Sequence, residues 1–434
     1  MVLSLITFIV TIALMITAIV FKPTIKIGKI SFQSFWAVAL LGAIFALCSM
    51  QIDFSSLWND LTSGSMNPIK ILILFISLSM ISISLDELNF FNWLSSKALS
   101  KAKGNQYKIF FTLYFLVAAL TVFTSNDIVI LTFTPFIILF SKKAKINPLP
   151  YLICEFVNAN TYSMLFSIGN PTNIYLASTQ GITFLGYLEK MWLPTLLAGV
   201  STLGLILLLF RKDLSKKIED IEIEETKLNS VPLVIINLVI LGITTVLLVI
   251  PNYIQLEMYL ICLCSMLVLT IVLLIFSLVK KKPAYILNAY KRLPYNLIPF
   301  ILSMFILVLS LNENGATDYF VKGLNYLSVN KYATVFTYTI SSTLFDNVIN
   351  NIPMSVLYSS FLSSVNSELA TFGTIIGSNI GAYLTPVGAL AGIMWMSILK
   401  KHDVNFNFLS FVKYGILLVP VALVFSVLGL IALC

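Results

Sequence analysis

The sequence predicts an all-α polytopic membrane protein: an inverted-topology repeat with two re-entrant helical hairpins and two broken transmembrane helices. Of the 434 residues, 58% are apolar and 11% are charged, which leaves too little polar surface for a water-soluble domain of this size. Windows of about 20 apolar residues, enough to cross a hydrocarbon core of roughly 30 Å, recur along the whole chain. Four other apolar stretches are interrupted by Asn, Asp, Gly or Pro, which favour turns and helix breaks.

The uninterrupted apolar windows are the simplest elements. Together with two broken segments they predict about ten spanning helices, each near the length that a bilayer requires. These windows are 3–21, 31–50, 68–85, 191–210, 231–250, 256–279, 296–311 and 407–433. The first has no basic residue before it and no small-residue cleavage site, so we expect a retained helix and not a secretory signal.

The distribution of Lys and Arg predicts the orientation in the membrane. If the N-terminus lies outside, all but four of the 27 basic residues fall on the cytoplasmic side, as the positive-inside rule requires. The exceptions are Lys70, Lys190, Lys322 and Lys331. We therefore attribute the net charge of +8 to the cytoplasmic loops of a multi-pass protein of the cell membrane, and expect no nucleic-acid partner.

The stretch 109–140 is predicted to be a hairpin that enters and leaves the membrane from the cytoplasm. It is interrupted at Thr124 to Asp127 and is followed by three lysines, which a single crossing would place outside. Each arm would have about 13–15 residues, or roughly 20–23 Å of helix, which is short for a full span. The stretch 332–364, interrupted between Asp346 and Pro353, is predicted to be its counterpart and to open outward.

Two spanning segments, 150–188 and 369–398, are predicted to be broken helices. Their interruptions, at 169–173 and 377–388, are rich in Gly, Asn and Pro. Backbone that leaves a helix inside lipid exposes N–H and C=O groups, each costing several kcal/mol unless protein, water or a ligand satisfies it. Such breaks therefore mark either a simple kink or a binding site.

The order of elements predicts two repeats of opposite orientation. Residues 1–210 form the first repeat, 211–230 a polar cytoplasmic linker, and 231–434 the second repeat. Inverted repeats are the common architecture of secondary transporters. We expect the four interruptions to meet near the midplane around one polar site.

Asp127 and Asp346 are the foremost candidate site residues, because a carboxylate near the bilayer centre costs about 2.5–3.5 kcal/mol on insertion scales. Their matching positions predict sites for a coupling proton or sodium ion; the alternative is that they cap helices. The substrate- or ion-binding residues predicted from the four interruptions are Ser125, Asn126, Asp127, Asn170, Thr172, Asn173, Asp346, Asn347, Asn350, Asn351, Ser378, Asn379 and Thr385. Among these, Asn126, Asp127 and Asp346 are the candidate ligands of a bound sodium ion, and no other cofactor is expected.

Three other features of the sequence bear on function. Glu155 is interpreted either as an acid at the membrane interface or as part of a proton route. Residues 86–107 are predicted to form an amphipathic interfacial helix, with aromatic residues against lysines. The five cysteines form no C-x-x-C pair, and His402 is the only histidine, so no zinc-type metal site is predicted.

The interruptions resemble motifs of the ion transporter superfamily, which includes arsenite permeases, sodium/proton antiporters of the NhaD type and divalent anion/sodium symporters. Thr124-Ser-Asn-Asp-Ile-Val-Ile-Leu-Thr-Phe-Thr-Pro135 is similar to the arsenite-permease pattern A-N-D-x6-T-P. The segment from Gly377 to Trp395 resembles one containing L-T-P-I-G-S-L-A in the same permeases. Asn350-Asn351-Ile-Pro353 matches an N-N-x-P motif, and Ile168-Gly-Asn-Pro-Thr-Asn173 looks like the symporters' I-G-x-P-x-N.

The resemblance favours the arsenite-permease-like branch. The second S-N-T motif of the symporters is absent, and Asp346-Asn347 stands near that place. The resemblance also implies a homodimer in membrane lipid, in which scaffold helices within 1–100 and 231–325 hold mobile domains that carry the hairpins and broken helices. Elevator-type alternating access is implied in the same way.

The predicted function is secondary active transport of a small anion or oxyanion, coupled to a proton or sodium gradient. A sodium/proton antiporter, or a sodium-coupled dicarboxylate or sulfate symporter, is the alternative within the superfamily. No G-x-x-x-x-G-K-[ST] run is present, so an ion gradient or a separate ATPase subunit must supply the energy. A channel and an intramembrane aspartyl protease are the rival classes; the sequence lacks G-x-G-D, H-E-x-x-H and G-x-S-x-G runs, and no enzyme is expected.

Overall fold

The computed structural model describes residues 1–22, 24–27, 30–62, 67–100, 105–218, 226–248, 257–280 and 284–433. In the first half the elements are α1 (Val2–Phe21), β1 (Thr24–Ile27), β2 (Ile30–Gln33), α2 (Ser34–Cys48), α3 (Phe54–Thr62), α4 (Pro68–Glu87), α5 (Phe90–Ser100), α6 (Gln106–Phe123), α7 (Asn126–Lys143), α8 (Leu149–Tyr162), a 3-10 turn (Ser167–Gly169), α9 (Pro171–Thr179), α10 (Phe184–Leu209) and α11 (Arg211–Leu214). In the second half they are α12 (Val231–Leu247), α13 (Met258–Lys280), α14 (Ala284–Lys291), α15 (Leu297–Glu313), α16 (Thr317–Leu327), α17 (Lys331–Ile349), α18 (Asn351–Val365), α19 (Glu368–Gly381), α20 (Leu390–Lys401) and α21 (Phe408–Ala432).

Six helices in the described part of the chain are long and apolar enough to cross a membrane, namely α1, α4, α6, α10, α13 and α21. The pair α15 and α16, bent by 80°, would be a seventh, and α2 and α12 are apolar but shorter. Each of the eight uninterrupted windows of the sequence coincides over most of its length with one helix; these helices are α1, α2, α4, α10, α12, α13, α15 and α21. The nearly all-helical, polytopic architecture is therefore confirmed.

The exception to the helical architecture is a β-hairpin that the sequence reasoning missed. β1 and β2 pair antiparallel, with Thr24 opposite Gln33 and Ile27 opposite Ile30. The hairpin moves the start of the next helix from residue 31, as predicted, to Ser34. Alternating β-branched and polar residues in Thr24-Ile-Lys-Ile27 favour a strand, and this signal was hidden by the apolar window that follows.

The predicted amphipathic helix at 86–107 is shorter and packs differently. Its helical part is α5, and Phe90 and Phe91 are buried in the protein core. Trp93 and Leu94 are half-buried and pack against the same core. The prediction of an amphipathic interfacial helix is therefore wrong for Phe90 and Phe91, because protein covers these two side chains.

Polar contacts between distant segments mark two ends of the helix bundle. At one end Arg292 forms ion pairs with Asp86 and Glu87, at N–O distances of 2.5 and 2.6 Å. At the other end the Asp53 amide donates to the Glu313 carboxylate at 2.8 Å. The first end holds loops that the charge distribution predicts to be cytoplasmic. Its orientation in a membrane stays a prediction, and Lys29, Lys101, Lys103, Lys281 and Lys282 lie outside the described residues.

The predicted linker 211–230 is fastened to this first end where it is described. Asn229 Nδ2 donates to Glu87 O at 2.9 Å, and Gln106 Nε2 donates to Lys216 O at 2.9 Å. Asn105 also forms an isolated antiparallel bridge with the linker. Residues 219–225 are outside the described part.

The arms of the first hairpin are longer than predicted. α6 and α7 have 18 residues each, or about 27 Å at 1.5 Å per residue, so length alone does not exclude a full crossing. Helix α6 starts three residues earlier than expected because Asn105 caps it, accepting from the Tyr107 and Lys108 amides at 2.9 and 3.3 Å. The hairpin tip at Thr124 and Ser125 lies beside Ser79, near the middle of α4. Insertion from one side of the bilayer stays a prediction.

The first broken helix ends before the predicted residue 188. Helix α9 ends at Thr179, Gly181 adopts a φ of +65°, and Thr183 Oγ1 accepts from the Gly186 amide at 3.1 Å to cap α10. Residues 184–188 therefore begin the next helix. Glycine ends α9 because it enters the left-handed region without the steric cost of a Cβ atom.

Candidate functional site

The two broken helices meet at Asn379, in the last turn of α19. Asn170 Nδ2 donates to Asn379 Oδ1 at 2.9 Å, and Asn379 Nδ2 donates to Asn173 Oδ1 at 2.6 Å and to Ile375 O at 2.8 Å. Ser163 Oγ lies 3.0 Å from the same Asn379 oxygen. These four polar side chains are buried. Because the Asn379 amide already has both donors and its acceptor engaged, its first role here is to join the two breaks.

Thr172 and Ser378 form a second contact between the breaks. Ser378 Oγ lies 2.8 Å from Thr172 Oγ1, across 206 residues of sequence. The Thr172 amide donates to Asn170 Oδ1 at 3.2 Å, so Asn170 also caps α9. The predicted residues of the two broken helices are thus in direct contact.

The tip of the second hairpin is bound to the second break through Asn347. Asn347 Nδ2 donates to Thr343 O at 2.8 Å and to Gly381 O at 3.0 Å. Asn347 Oδ1 accepts from the Thr385 hydroxyl at 2.7 Å and from the Thr385 amide at 3.0 Å. Three of the predicted interruption segments therefore contribute to one polar region through Asn347, Asn379 and their partners.

Asn350 occupies the turn of the second hairpin in a strained conformation. Its φ of +75° and ψ of 153° lie in a region that is essentially restricted to glycine and costs roughly 1–3 kcal/mol for other residues. The Asn350 amide donates to Asp346 O at 2.8 Å, and its side chain donates to Val387 O at 2.8 Å. The Asn351 amide donates to Gly388 O at 2.9 Å. The second break thus holds both asparagines of the tip in place.

Of the two foremost candidate acids, Asp127 and Asp346, only Asp346 is completely enclosed. Its exposed fraction is 0%, and within the described residues neither carboxyl oxygen has a hydrogen-bond partner. A Cβ atom at Gly381 would lie 2.6 Å from Asp346 Oδ2, so only glycine lets the α19 backbone come this close. Helix capping does not explain Asp346. A buried carboxyl group without donors needs a proton or a cation to be tolerated.

The tip of the first hairpin is anchored on the first broken helix. Asn126 is buried and its Nδ2 donates to Asn160 Oδ1 at 3.1 Å. Ser125 is the N-cap residue of α7 but its side chain makes no capping bond. Asp127 is half-buried in the first turn of α7, where a negative charge also interacts favourably with the helix dipole.

A cavity of about 990 Å³ reaches this first tip. Ser125 and Asp127 line it, together with residues of α2, α4, α7, α15 and α20. Three basic residues, Lys291, Arg292 and Lys400, also line it. They belong to the end of the bundle that carries the loops predicted to be cytoplasmic.

The two foremost acids do not share this cavity. Asp346 is not among the residues that line it and lies instead between α17 and α19. Hydrogen bonds connect the first tip to the second break through Asn126, Asn160, Ser163 and Asn379, since Ser163 Oγ also lies 2.8 Å from Asn160 O. The second tip is bound to the same break separately, through Asn347 with Gly381 and Thr385. Most of the predicted residues therefore form a polar network around the second break, while Asp127 lines the cavity at the first tip and Asp346 is enclosed at the second.

Sequence reasoning missed three members of this network, Asn160, Ser163 and Gly381. Asn160 and Ser163 belong to a polar run in an otherwise apolar helix, from Asn158 to Ser163, which was a usable signal. Gly381 follows Gly377 at a spacing of four residues, and a Cβ atom at Gly377 would overlap Ser342 Oγ of α17. This spacing, which is typical of close helix packing in membranes, indicates the intimate contact of α17 with α19.

Comparisons with known proteins agree with this architecture. A family model described as citrate transporter matches residues 16–372. The chain is 26% identical to an arsenical pump membrane protein of Escherichia coli strain K12, over 88% of this chain and 89% of that protein. It is 24% identical to the protein of the same name from Yersinia enterocolitica, with 88% of each chain covered.

A solved structure supports the fold. The crystal structure of the YdaH transporter of Alcanivorax borkumensis, described as having an unusual topology, matches with a TM-score of 0.59 at 12% sequence identity. The match covers 99% of this chain and 97% of that one. Because the family model covers most of the chain, this chain belongs to the citrate transporter family of membrane transporters, within the ion transporter superfamily.

Proposed function

We propose that this chain is a secondary active transporter that moves a small anion or oxyanion, with a proton or sodium gradient as the energy source. The observation that carries the proposal is Asp346, a fully enclosed carboxyl group with no hydrogen-bond partner in the described residues. It lies where the second hairpin meets the second broken helix. A coupling proton or cation at this carboxyl would remove the electrostatic cost of its burial.

Asp127 supports the same function from the accessible side. It faces a cavity that contains basic side chains at its other end, so a small anion would be attracted into it. Asn126, Asp127 and Asp346 remain the candidate sodium ligands, with sodium held at one tip or the other because the two acids line different spaces. The N-terminus of α9 at the first break and the N-terminus of α18 at the second hairpin tip add partial positive charge for an anion.

Arsenite is the first substrate to test, since the arsenical pump membrane proteins of two bacteria match nearly the whole chain. The hairpins and broken helices would move as a unit against scaffold helices in a homodimer within the cell membrane. In support, the cavity lies between helices of the two groups, α2, α4 and α15 on one side and α7 and α20 on the other. The N-terminus would lie outside.

Sodium-coupled transport of a dicarboxylate, a tricarboxylate or sulfate is the second candidate. Two observations favour it: the matching family model is described as citrate transporter, and the cavity is lined by Lys291, Arg292 and Lys400. Basic side chains suit a polyanion better than they suit neutral arsenous acid. Sodium/proton exchange without an anion is a third mode that the acids alone would support.

Uptake into proteoliposomes tests these modes together. Arsenite, sulfate, citrate, succinate and radioactive sodium would each be offered under an imposed pH gradient or an imposed sodium gradient. Gradient-driven accumulation of one anion by the wild type, and not by Asp346→Asn, is the expected result. Conductance far above carrier turnover would indicate a channel, and no gradient-driven uptake of any probe would contradict secondary transport of these substrates.

A further inference from the structure

A second buried acid, Glu155, lies outside the residues so far assigned to the site. It is in the second turn of α8, and its exposed fraction is 1%. Its neighbours Thr134 on α7 and Trp395 on α20 are equally enclosed. Glu155 is therefore not an acid exposed at the membrane interface, because protein encloses its side chain.

The hydrogen bonds around Glu155 account for a proton on its carboxyl group. Thr134 Oγ1 lies 2.6 Å from Ile130 O and 3.1 and 3.2 Å from the two Glu155 oxygens. A hydroxyl group has one hydrogen, and a carbonyl oxygen only accepts. The short contact to the residue four positions earlier is the usual bond of a threonine inside a helix, and it uses that hydrogen. With that hydrogen placed on Ile130 O, Thr134 Oγ1 is an acceptor for a protonated Glu155 carboxyl group.

The hydrogen-bond contacts of Glu155 are long. Its oxygens lie 3.1 and 3.2 Å from Thr134 Oγ1 and 3.2 Å from Trp395 Nε1, whereas O–H···O bonds centre on about 2.7–2.8 Å. Neither neighbour therefore provides the short, charge-assisted hydrogen bond that stabilises a carboxylate. As a neutral acid, Glu155 donates to Thr134 and accepts from Trp395, so both of its oxygens are satisfied.

Charged groups on the surrounding helices do not offset an anion at this position. Thr134 lies seven residues from Asp127 and eight from Lys142 on α7, or roughly 10–12 Å along the axis. Trp395 lies five residues from Lys400, or about 7.5 Å. No ion pair of Glu155 with Lys or Arg occurs within the described residues. The titratable groups on the elements packed against α8 are Tyr107, Lys108 and Tyr114 (α6), Asp127, Lys142 and Lys143 (α7), Tyr187, Glu189 and Lys190 (α10), Glu368 (α19), Lys400 and Lys401 (α20), and Lys413 and Tyr414 (α21); α8 itself adds Tyr151, Cys154 and Tyr162.

We infer that Glu155 is a proton-binding site that holds the first hairpin and the second broken helix against α8 when protonated. The carboxylate takes a proton from the water of the side to which the site opens and becomes a carboxylic acid. The acid then joins α7 to α20 through Thr134 and Trp395. Loss of the proton leaves an anion with one donor in a site enclosed by protein, so the anion is accommodated only if α7 or α20 moves away and water reaches it. This part of the inference rests on the proposed secondary transport, since it adds a coupled proton at Glu155 to the proton or cation proposed at Asp346.

The bound proton is testable without any substrate. Infrared spectra of the purified protein at neutral pH are expected to contain a carboxylic-acid C=O band of Glu155 that is lost in Glu155→Gln and persists in Glu189→Gln, a matched change at an exposed glutamate. A band of protonated Asp346 would be lost in Asp346→Asn instead. In Trp395→Phe the Glu155 band should move to higher frequency, because the C=O group loses its donor. Carboxylic-acid absorption of unchanged intensity in Glu155→Gln would overturn the inference.

The mechanical role is testable by thermal denaturation across pH. The folded wild type retains a proton that an unfolded glutamate, with a pKa of about 4.3, releases, so its midpoint should fall as pH rises from about 5 to about 8. Glu155→Gln preserves the donor to Thr134 and the acceptor for Trp395, so this variant should fold. Its thermal midpoint should fall less than that of the wild type as the pH rises. Equal pH slopes in the two proteins would contradict the role of the proton in holding these helices together.

Transport then separates this inference from the proposed function. With arsenite as the probe, Glu155→Gln should keep arsenite exchange within about twofold and lose pH-driven accumulation by roughly tenfold or more, as expected for a carrier that has lost only its coupling proton. Accumulation equal to that of the wild type would refute coupling through Glu155 while leaving secondary transport intact. If the wild type itself moves no arsenite, the arsenite assignment fails, and the infrared and thermal measurements still decide the proton on Glu155.

Discussion

Asn170 donates its side-chain amide to Asn379 at 2.9 Å, and the two residues are separated by 209 positions in the sequence. The bond joins the break of one helix to the last turn before the break of another. The side-chain Nδ2 of Asn379 donates its two hydrogens to Asn173 Oδ1 and to Ile375 O. It is therefore the residue on which the contact between the two broken helices depends most.

Replacement of Asn379 by Ala should destabilise the protein by about 2–4 kcal/mol, because the buried amides of Asn170 and Asn173 both lose a partner. Gradient-driven transport should fall with it, since the two breaks would no longer be held in register. Thermal denaturation in detergent and uptake in proteoliposomes measure the two effects. Asn325→Ala, at an exposed position of α16, is the control and should change neither. A destabilisation no larger than that of the control would contradict the role of Asn379.

Replacement of Asp346 by Asn should abolish gradient-driven transport, by roughly tenfold or more, while the protein stays folded. The amide is similar in shape and removes a buried group that can carry a charge, so the thermal midpoint should equal or exceed that of the wild type. Asp318→Asn, at an exposed position of α16, is the matched control. Full coupled activity in Asp346→Asn would remove Asp346 from the coupling mechanism.

Replacement of Asp127 by Asn should weaken coupling with little effect on stability, because this side chain is only half-buried and faces the cavity. We expect the apparent KM for the coupling ion to rise by roughly tenfold. The dependence of uptake on proton and sodium concentration, measured at saturating substrate, checks this. An unchanged KM together with a lower stability would instead support a purely structural role in the first turn of α7.

The close contact of α17 with α19 predicts a large difference between two glycines. Gly377→Ala would place a Cβ atom against Ser342 and the α17 backbone, so we expect a loss of about 1–3 kcal/mol from overpacking. At Gly204 of α10 nothing lies within 4 Å of the added Cβ atom, and Gly204→Ala should stabilise the helix by about 0.5–1 kcal/mol. Thermal midpoints that shift equally in both variants would show that the helices do not approach this closely.

The orientation predicted from the basic residues is testable by labelling. In a variant without the native cysteines, Lys401→Cys should react with a membrane-impermeant thiol reagent only from the cytoplasmic side, and Lys322→Cys only from outside. Both positions are exposed. Reaction from the opposite sides would invert the proposed topology, and with it the side to which the cavity opens.

The amino-acid sequence alone determines the class of the protein and the location of its helices. It also indicates most of the polar residues that interrupt them. The apolar windows had to be helices because lipid satisfies no backbone hydrogen bonds, and the polar residues that interrupt them had to be enclosed by protein. For this reason the pattern of residues was enough to single out Asn170, Asn379 and Asp346.

Which of these residues touch depends on the packing of the whole chain. Local pattern could not reveal that Asn379 joins the two breaks, that Asp127 and Asp346 face different spaces, or that Glu155 is enclosed between Thr134 and Trp395. Such contacts link residues up to 240 positions apart, and their geometry is set by the way entire helices pack. The burial of α5 was missed for the same reason: the surroundings of this segment, and not its own residues, decided that it faced protein. The β-hairpin of β1 and β2 differs, because its own residues carry a strand signal that the apolar window after it hid.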